Sequence, residues 1–165
     1  MKKDAKSKLL LPMLLAATFI VVCNGITRAE DPPLNVCPPL KKLHVTSTFG
    51  YRIHPLTGKK KFHSGIDLAA RNDTVFAILE AAVEATGRSP SLGRFIRLKQ
   101  DSLTVIYSHL RTIAVTAGQQ LSPGDPIAIT GSTGLVTGEH LHLAILYRGI
   151  YIHPLRFIRR LAYRH

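Results

Sequence analysis

From residue 45 onward the chain is cut into short apolar segments by Gly, Pro, Asn and Asp, and no other feature restricts its fold so strongly. Residues 75–79, 95–99, 103–107, 127–129 and 141–147 are such segments. In 95–99 and 103–107 apolar and polar side chains alternate, the period of a strand with one buried face. Regular short runs with turn signals between them imply a mainly β fold: an antiparallel sheet, sandwich or barrel. Residues 80–85 are rich in Ala and Glu and favour a helix by propensity alone; here they are read as a strand or turn. A short basic helix is expected over residues 154–163. No internal repeat or low-complexity tract interrupts the pattern.

The first thirty residues are set aside from the fold. Lys2, Lys3, Lys6 and Lys8 precede an almost wholly apolar run at 9–23, and small residues follow, ending in Thr27-Arg28-Ala29. A basic start, a short apolar run and small residues before a cleavage point describe a secretory signal peptide, here residues 1–29. The fifteen-residue run is shorter than the roughly 20 residues that span a bilayer, so no stable membrane span is expected after cleavage. Cys23 follows Val21-Val22 rather than a small residue, which argues against a lipidated start. Residues 30–44 carry Pro32, Pro33, Pro38 and Pro39 and read as an extended linker. The expected organisation is a signal segment at 1–29, a linker at 30–44, a folded domain at 45–158 and a basic tail at 159–165.

Composition excludes several classes. At 45% hydrophobic and 19% charged residues the chain is globular rather than disordered. Cleavage after Ala29 removes five of 22 basic and one of 10 acidic groups, leaving 17 − 9 = +8. It also leaves Cys37 as the only thiol, so no internal disulfide holds the domain together. Export argues against nucleic acid as the main partner, and the positive charge fits an anionic polymer outside the cytoplasm equally well; the expected location is the periplasm or cell envelope, or the medium.

Histidine placement carries the chemistry. His63-Ser64-Gly65-Ile66-Asp67 sets an imidazole four residues before a carboxylate. Tyr107-Ser108-His109-Leu110 ends one candidate strand, and Gly138-Glu139-His140-Leu141-His142 opens another. Residues two apart in a strand share a face, so His140 and His142 aim into one space. His63, Asp67 and one further His supply two nitrogens and an oxygen, a usual catalytic zinc set that leaves a position for water. Zinc in such a site lowers the pKa of water to about 7, and other histidines can then move protons or stabilise an oxyanion. Each piece alone has an ordinary explanation: a surface His near a turn Asp, a half-buried strand pair, a core histidine. Their joint occurrence, bracketed by Gly-rich turns, points to one site.

Taken together the motifs resemble the M23 peptidases, the lysostaphin/LytM type of zinc metallopeptidase. The resemblance runs from about Thr46 to Phe157. It includes Ser47-Thr48-Phe49-Gly50-Tyr51-Arg52, His54-Pro55, the three histidine motifs, Gly118-Gln119, Gly124-Asp125, Gly131-Ser132-Thr133-Gly134 and Pro154-Leu155, in the family's order. The resemblance implies zinc held by His63, Asp67 and His142, with His109 and His140 as catalytic histidines beside the metal. It implies a compact antiparallel β-sheet domain with the site in a groove, and a peptidoglycan peptide as substrate. Arg52 is placed either in that groove or on the surface; His44, His54, His153 and His165 are read as non-ligands. Three positions depart from the common pattern. Asn72-Asp73 and Ala81-Ala82 replace turn residues where the family carries Gly, and Leu143-Ala144 replace an aromatic and a Glu after His142. The alternative is an inactive relative that binds the wall or activates another hydrolase; intact His63, Asp67, His109, His140 and His142 favour the enzyme.

Overall fold

The computed structural model describes residues 35–53 and 58–162. Among these, twelve strands and one helix follow in order: β1 (Val45–Ser47), β2 (Gly50–Ile53), β3 (Lys60–His63), β4 (Gly65–Ala69), β5 (Thr74–Phe76), β6 (Ala81–Ser89), β7 (Gly93–Gln100), β8 (Leu103–Ile113), β9 (Gln120–Leu121), β10 (Pro126–Thr130), β11 (His140–Tyr147), β12 (Ile150–Ile152) and α1 (Pro154–Ala162). Ten strands form one sheet, with the path β1-β4-β11-β8-β7-β6-β9; β10 bridges β5 and β8, and β12 extends β11. Every pairing is antiparallel. Strands β2 and β3 form a separate hairpin. The mainly β reading holds, and each of the five apolar runs contributes to a strand.

The core lies against one face of the central strands. Ile66 and Leu68 of β4, Leu141, Leu143 and Ile145 of β11, Val105 and Tyr107 of β8, and Ile96 and Leu98 of β7 are fully or almost fully buried. Each stabilises by about 1.5–3 kcal/mol relative to an exposed position. Between these side chains Asp67, His140 and His142 project to the opposite face, so one alternation builds both the core and the site. Tyr107 is sealed in the core, and its hydroxyl accepts the Ile78 N–H at 2.9 Å. Burial there holds the phenol far above its ordinary pKa.

Local propensity is overruled where core contacts demand it. Ala81 and Val83, within the helix-favouring stretch, are buried in β6 and pair with Leu121 and Leu98. Ala81 takes no left-handed conformation; it opens a strand. Asn72 does, at φ 54°, and Asp73 Oδ2 closes its turn by accepting the Arg71 N–H at 2.8 Å.

Part of the segment expected as linker is packed against the domain. Leu40 is a core residue, the Cys37 N–H donates to the Ile78 carbonyl, and the Pro39 carbonyl accepts the Phe76 N–H. Proline lacks a donor but keeps its acceptor, so a Pro-rich strip can still dock. At the other end α1 runs to Ala162, past the expected start of the tail at 159. Pro154 occupies its first turn, Arg159 and Arg160 its last, and Leu155, Phe157 and Ile158 pack on the core. Among the described residues no helix is long and apolar enough to cross a membrane. The expected signal segment lies outside the described residues.

Candidate metal centre

Strand register brings the distant motifs together. His142 stands directly opposite Asp67 across β11 and β4, and His140 opposite Ala69. Opposed residues share a face, so Asp67, His140 and His142 point the same way. His63 ends β3, separated from β4 by Ser64 alone. Gly65 makes the convergence possible. A carbon added there would lie 2.3 Å from the Leu143 carbonyl oxygen and 2.8 and 2.9 Å from the His142 ring. Only hydrogen fits between that backbone and the imidazole.

Three atoms form a close triangle. His63 Nε2 lies 3.2 Å from Asp67 Oδ1 and 3.1 Å from His142 Nδ1, and His142 Nδ1 lies 2.8 Å from Asp67 Oδ1. Ligands about 2.0–2.2 Å from one zinc ion sit about 3.3–3.6 Å apart in a tetrahedron, somewhat wider than these edges. Tautomers support the fit. His63 Nδ1 donates to the Thr48 carbonyl at 2.9 Å. A carbonyl only accepts, so that nitrogen carries the proton and Nε2 turns a lone pair towards His142 and Asp67. A lone pair, a second imidazole nitrogen and a carboxylate oxygen at this spacing require a proton or a metal ion among them. Burial alone pushes the Asp67 carboxyl upward in pKa, but when protons on the His142 and His63 rings are the cation, their hydrogen bonds and charge outweigh it and hold the group well below the usual range. Asp67 is therefore a committed anion and fits a divalent cation.

Two further imidazoles face the same space. His140 Nδ1 donates to the Gly138 carbonyl at 2.9 Å, which leaves Nε2 free, 3.7 Å from Asp67 Oδ1. His109 Nδ1 donates to the Thr133 carbonyl at 2.9 Å, again freeing Nε2. The His109 ring centroid is 4.8 Å from that of His140 and 5.9 Å from that of His142. His109 sits at a bulge of β8 with φ 64°, a left-handed conformation inside a strand. The bulge turns it towards the site although Tyr107 and Leu110 on either side face the core. Burial pushes its pKa down to about 4 against the support of the Thr133 carbonyl, so the ring is neutral at pH 7.

Thr133 gains its importance only from the structure; in the sequence it is one residue of Gly131-Ser132-Thr133-Gly134, with no role of its own. Its hydroxyl donates to the Leu110 carbonyl at 2.8 Å and accepts the Arg94 N–H at 2.9 Å, while its carbonyl holds His109. Gly93 and Gly134 allow this: a side-chain carbon on Gly93 would meet the Thr133 carbonyl at 2.2 Å, and one on Gly134 the Gly93 nitrogen at 2.3 Å. Both take positive φ, 62° and 84°. A Thr between small turn residues was the available signal. Glu139 plays a structural part as well. Its Oε1 accepts from Thr130 Oγ1 at 2.9 Å and from the Asn72 N–H, tying the 71–73 turn to the start of β11.

The histidines border an open groove of about 240 Å³. Arg52, left between groove and surface by sequence, lines it, with Lys61 and Phe62 on the hairpin side and Leu135, Val136 and Thr137 on the other. The departure at Leu143-Ala144 leaves the donors untouched: Leu143 faces the core, and Ala144 is buried opposite Gly65. His44 and His153 lie outside the metal group; His153 packs on Phe49 at 5.5 Å. His54 and His165 lie outside the described residues.

A His/Asp/His donor set flanked by two imidazoles with free nitrogens, in an open groove on an antiparallel sheet, is the build of a metallopeptidase. The family model described as Peptidase family M23 matches residues 61–154, and the chain belongs to that family. Over 119 residues it is 34% identical to the peptidoglycan DD-endopeptidase ShyC of Vibrio cholerae, covering 70% of this chain and 28% of that protein. Over 133 residues it is 32% identical to the DD-carboxypeptidase/endopeptidase Mpg of Neisseria meningitidis, covering 79% and 30%. The chain thus spans under a third of the length of these relatives. A solved zinc containing peptidase from Vibrio cholerae superposes with a TM-score of 0.66 at 32% identity, over 70% of this chain and 37% of that one. The catalytic domain of the antimicrobial peptidase lysostaphin from Staphylococcus simulans shares the fold, with a TM-score of 0.65 at 24% identity over 71% and 92%.

Proposed function

We propose that the chain is an exported zinc metalloendopeptidase that hydrolyses peptide bonds in the stem peptides or cross-bridges of peptidoglycan, in the periplasm or cell envelope. The observation that carries this is the triangle of His63 Nε2, Asp67 Oδ1 and His142 Nδ1 beside two imidazoles whose Nε2 atoms are free. Nitrogen and carboxylate donors in a three-ligand set favour zinc. The relatives named for peptidoglycan cleavage support the substrate, and the basic, apolar, small-residue start of the chain supports export.

A zinc ion supplies Lewis-acid chemistry here, polarising a carbonyl and acidifying water. The remaining work falls to the chain. Neutral His109 is ready to take the proton of the attacking water at Nε2, because its other nitrogen is fixed to Thr133. It then returns that proton to the leaving amine. His140, in the form that carries a proton on Nε2 as well as on Nδ1, hydrogen-bonds the oxygen on which negative charge develops. Walls at 135–137 and at Phe62 hold the peptide along the groove and displace water from it.

The test pairs metal analysis of the purified chain with release of soluble peptides from isolated peptidoglycan. The expected result is about one zinc per chain and release that stops with chelator and returns with zinc. His63→Ala loses zinc and release together. Near-stoichiometric zinc with retention on the wall but no release would replace the enzyme with a wall-binding module.

A further inference from the structure

Hairpin β2–β3 contains a pairing that its own stability does not explain. Arg52 stands directly opposite Lys61, and Gly50 opposite His63. Opposed residues, and residues two apart on a strand, share a face. Arg52, Lys61 and His63 therefore all face the groove, which Arg52 and Lys61 line. Phe62, which also borders the groove, meets Tyr51 edge to face at 5.2 Å, and Lys60 Nζ lies 5.5 Å from the Tyr51 ring centroid. Like charges directly opposite destabilise an antiparallel pair.

Among the described residues, the groove lining supplies one carboxylate against these two cations. Asp67 is the only carboxylate in the described lining, and its Oδ1 belongs to the metal group. Arg52 Nη2 forms an ion pair with Oδ2 at 3.8 Å, too long for a hydrogen bond, and Lys61 has no such partner among the described residues. Arg52 Nε is buried without a partner among the described residues. Space is also kept clear: a side-chain carbon on Gly50, across from His63, would meet nothing within 4 Å.

We propose that Arg52 and Lys61 form a carboxylate-binding subsite beside the metal group, selecting peptides that carry a free carboxylate on a residue next to the bond to be cut. The proposal rests on the peptidase reading above and names its substrate class. The Arg52 guanidinium is 3.8 Å from Asp67, about the length of one extended residue, so an anion held there belongs to a neighbour of the reacting bond. Arg offers a planar fork and Lys a point charge, a pair suited to a carboxylate. That carboxylate comes from a chain terminus or from a side chain.

Three peptides of one sequence separate these cases: terminal carboxylate free, side-chain carboxylate free, and both amidated. Each is titrated calorimetrically against the zinc-loaded full chain, with hydrolysis followed in parallel. At least one carboxylate peptide is expected to bind about tenfold more tightly than the diamide. Arg52→Gln and Lys61→Gln each reduce that preference severalfold while zinc content stays at the wild-type level. If Arg52→Gln loses zinc through its neighbour Asp67, Lys61→Gln decides alone. Equal binding of all three peptides overturns the subsite. So does a preference that survives Lys61→Gln, which is what direct ligation of the carboxylate by zinc produces. A carboxylate preference in binding with none of the peptides cleaved leaves the subsite standing and removes the peptidase reading; cleavage without preference does the reverse.

Discussion

Replacing Gly65 with Ala tests whether the fold has reserved room for the metal site. In an ordinary strand the change is favourable by about 0.5–1 kcal/mol, because Gly loses more conformational freedom on folding. Here the new carbon lands 2.3 Å from the Leu143 carbonyl oxygen and 2.8–2.9 Å from two atoms of the His142 ring. The carbonyl belongs to β11, paired on both sides, and cannot retreat without loosening two ladders. Overpacking of this kind costs about 1–3 kcal/mol, so the net effect is a loss of up to about 2.5 kcal/mol of stability and a melting point lower by up to about 10 °C. The ring is the softer partner. Its rotation draws Nδ1 out of the triangle, and zinc affinity falls about 10–100-fold, the range seen when groups that orient a ligand are disturbed. Thermal unfolding of the metal-free chain reads the first quantity, and competition against a chromogenic chelator the second. Gly138→Ala, whose added carbon meets nothing within 4 Å, is the comparison and does not lower stability. A Gly65→Ala protein that melts no lower than wild type and binds zinc equally well would refute the argument.

The remaining predictions concern His109 and its support. His109→Ala keeps its zinc but loses about 10²–10⁴-fold in turnover on a peptide substrate; full activity would remove it from the proton path. Thr133→Val breaks the hydroxyl bonds to Leu110 and Arg94, lowering kcat more than it raises KM and leaving zinc content unchanged. Acid sensitivity follows from the depressed His109 pKa of about 4, against 6.5 for an ordinary histidine. Between these values the unfolded chain takes up a proton that the folded chain refuses, so stability falls as pH drops. The loss is about 2 kcal/mol between pH 7.5 and pH 5. Urea unfolding of metal-free wild type and His109→Asn at the two pH values checks it; the variant is expected to lose less.

Much of the fold and site is legible in the sequence because strands encode their faces locally. Alternation in 95–99 and 103–107 marks β7 and β8, and the spacing of His140 and His142 predicts a shared face, which the register with β4 provides. What stays hidden depends on contacts between distant segments. No local rule distinguishes residues 37–40 from a solvated Pro-rich linker, since their bonds go to Phe76 and Ile78. The left-handed turn at His109 is invisible in Tyr107-Ser108-His109-Leu110, because a bulge is defined by what lies opposite it. Arg52 is undecided in the sequence for the same reason: its direction is settled by pairing with Lys61.

The anchoring of Thr133 reaches beyond His109. The groove wall at 135–137 begins two residues later, pinned by the Leu135 N–H on the Ser91 carbonyl, and it ends near His140, which bridges to Gly131. Between those fastenings the wall is an interchangeable cassette. Its side chains can be exchanged to change what the groove admits, while His109 and His140 keep their alignment so long as both moorings survive. Transplanting residues 135–137 from a relative is therefore a sounder route to altered selectivity than grafting the whole 131–140 segment, which would carry the moorings away with it.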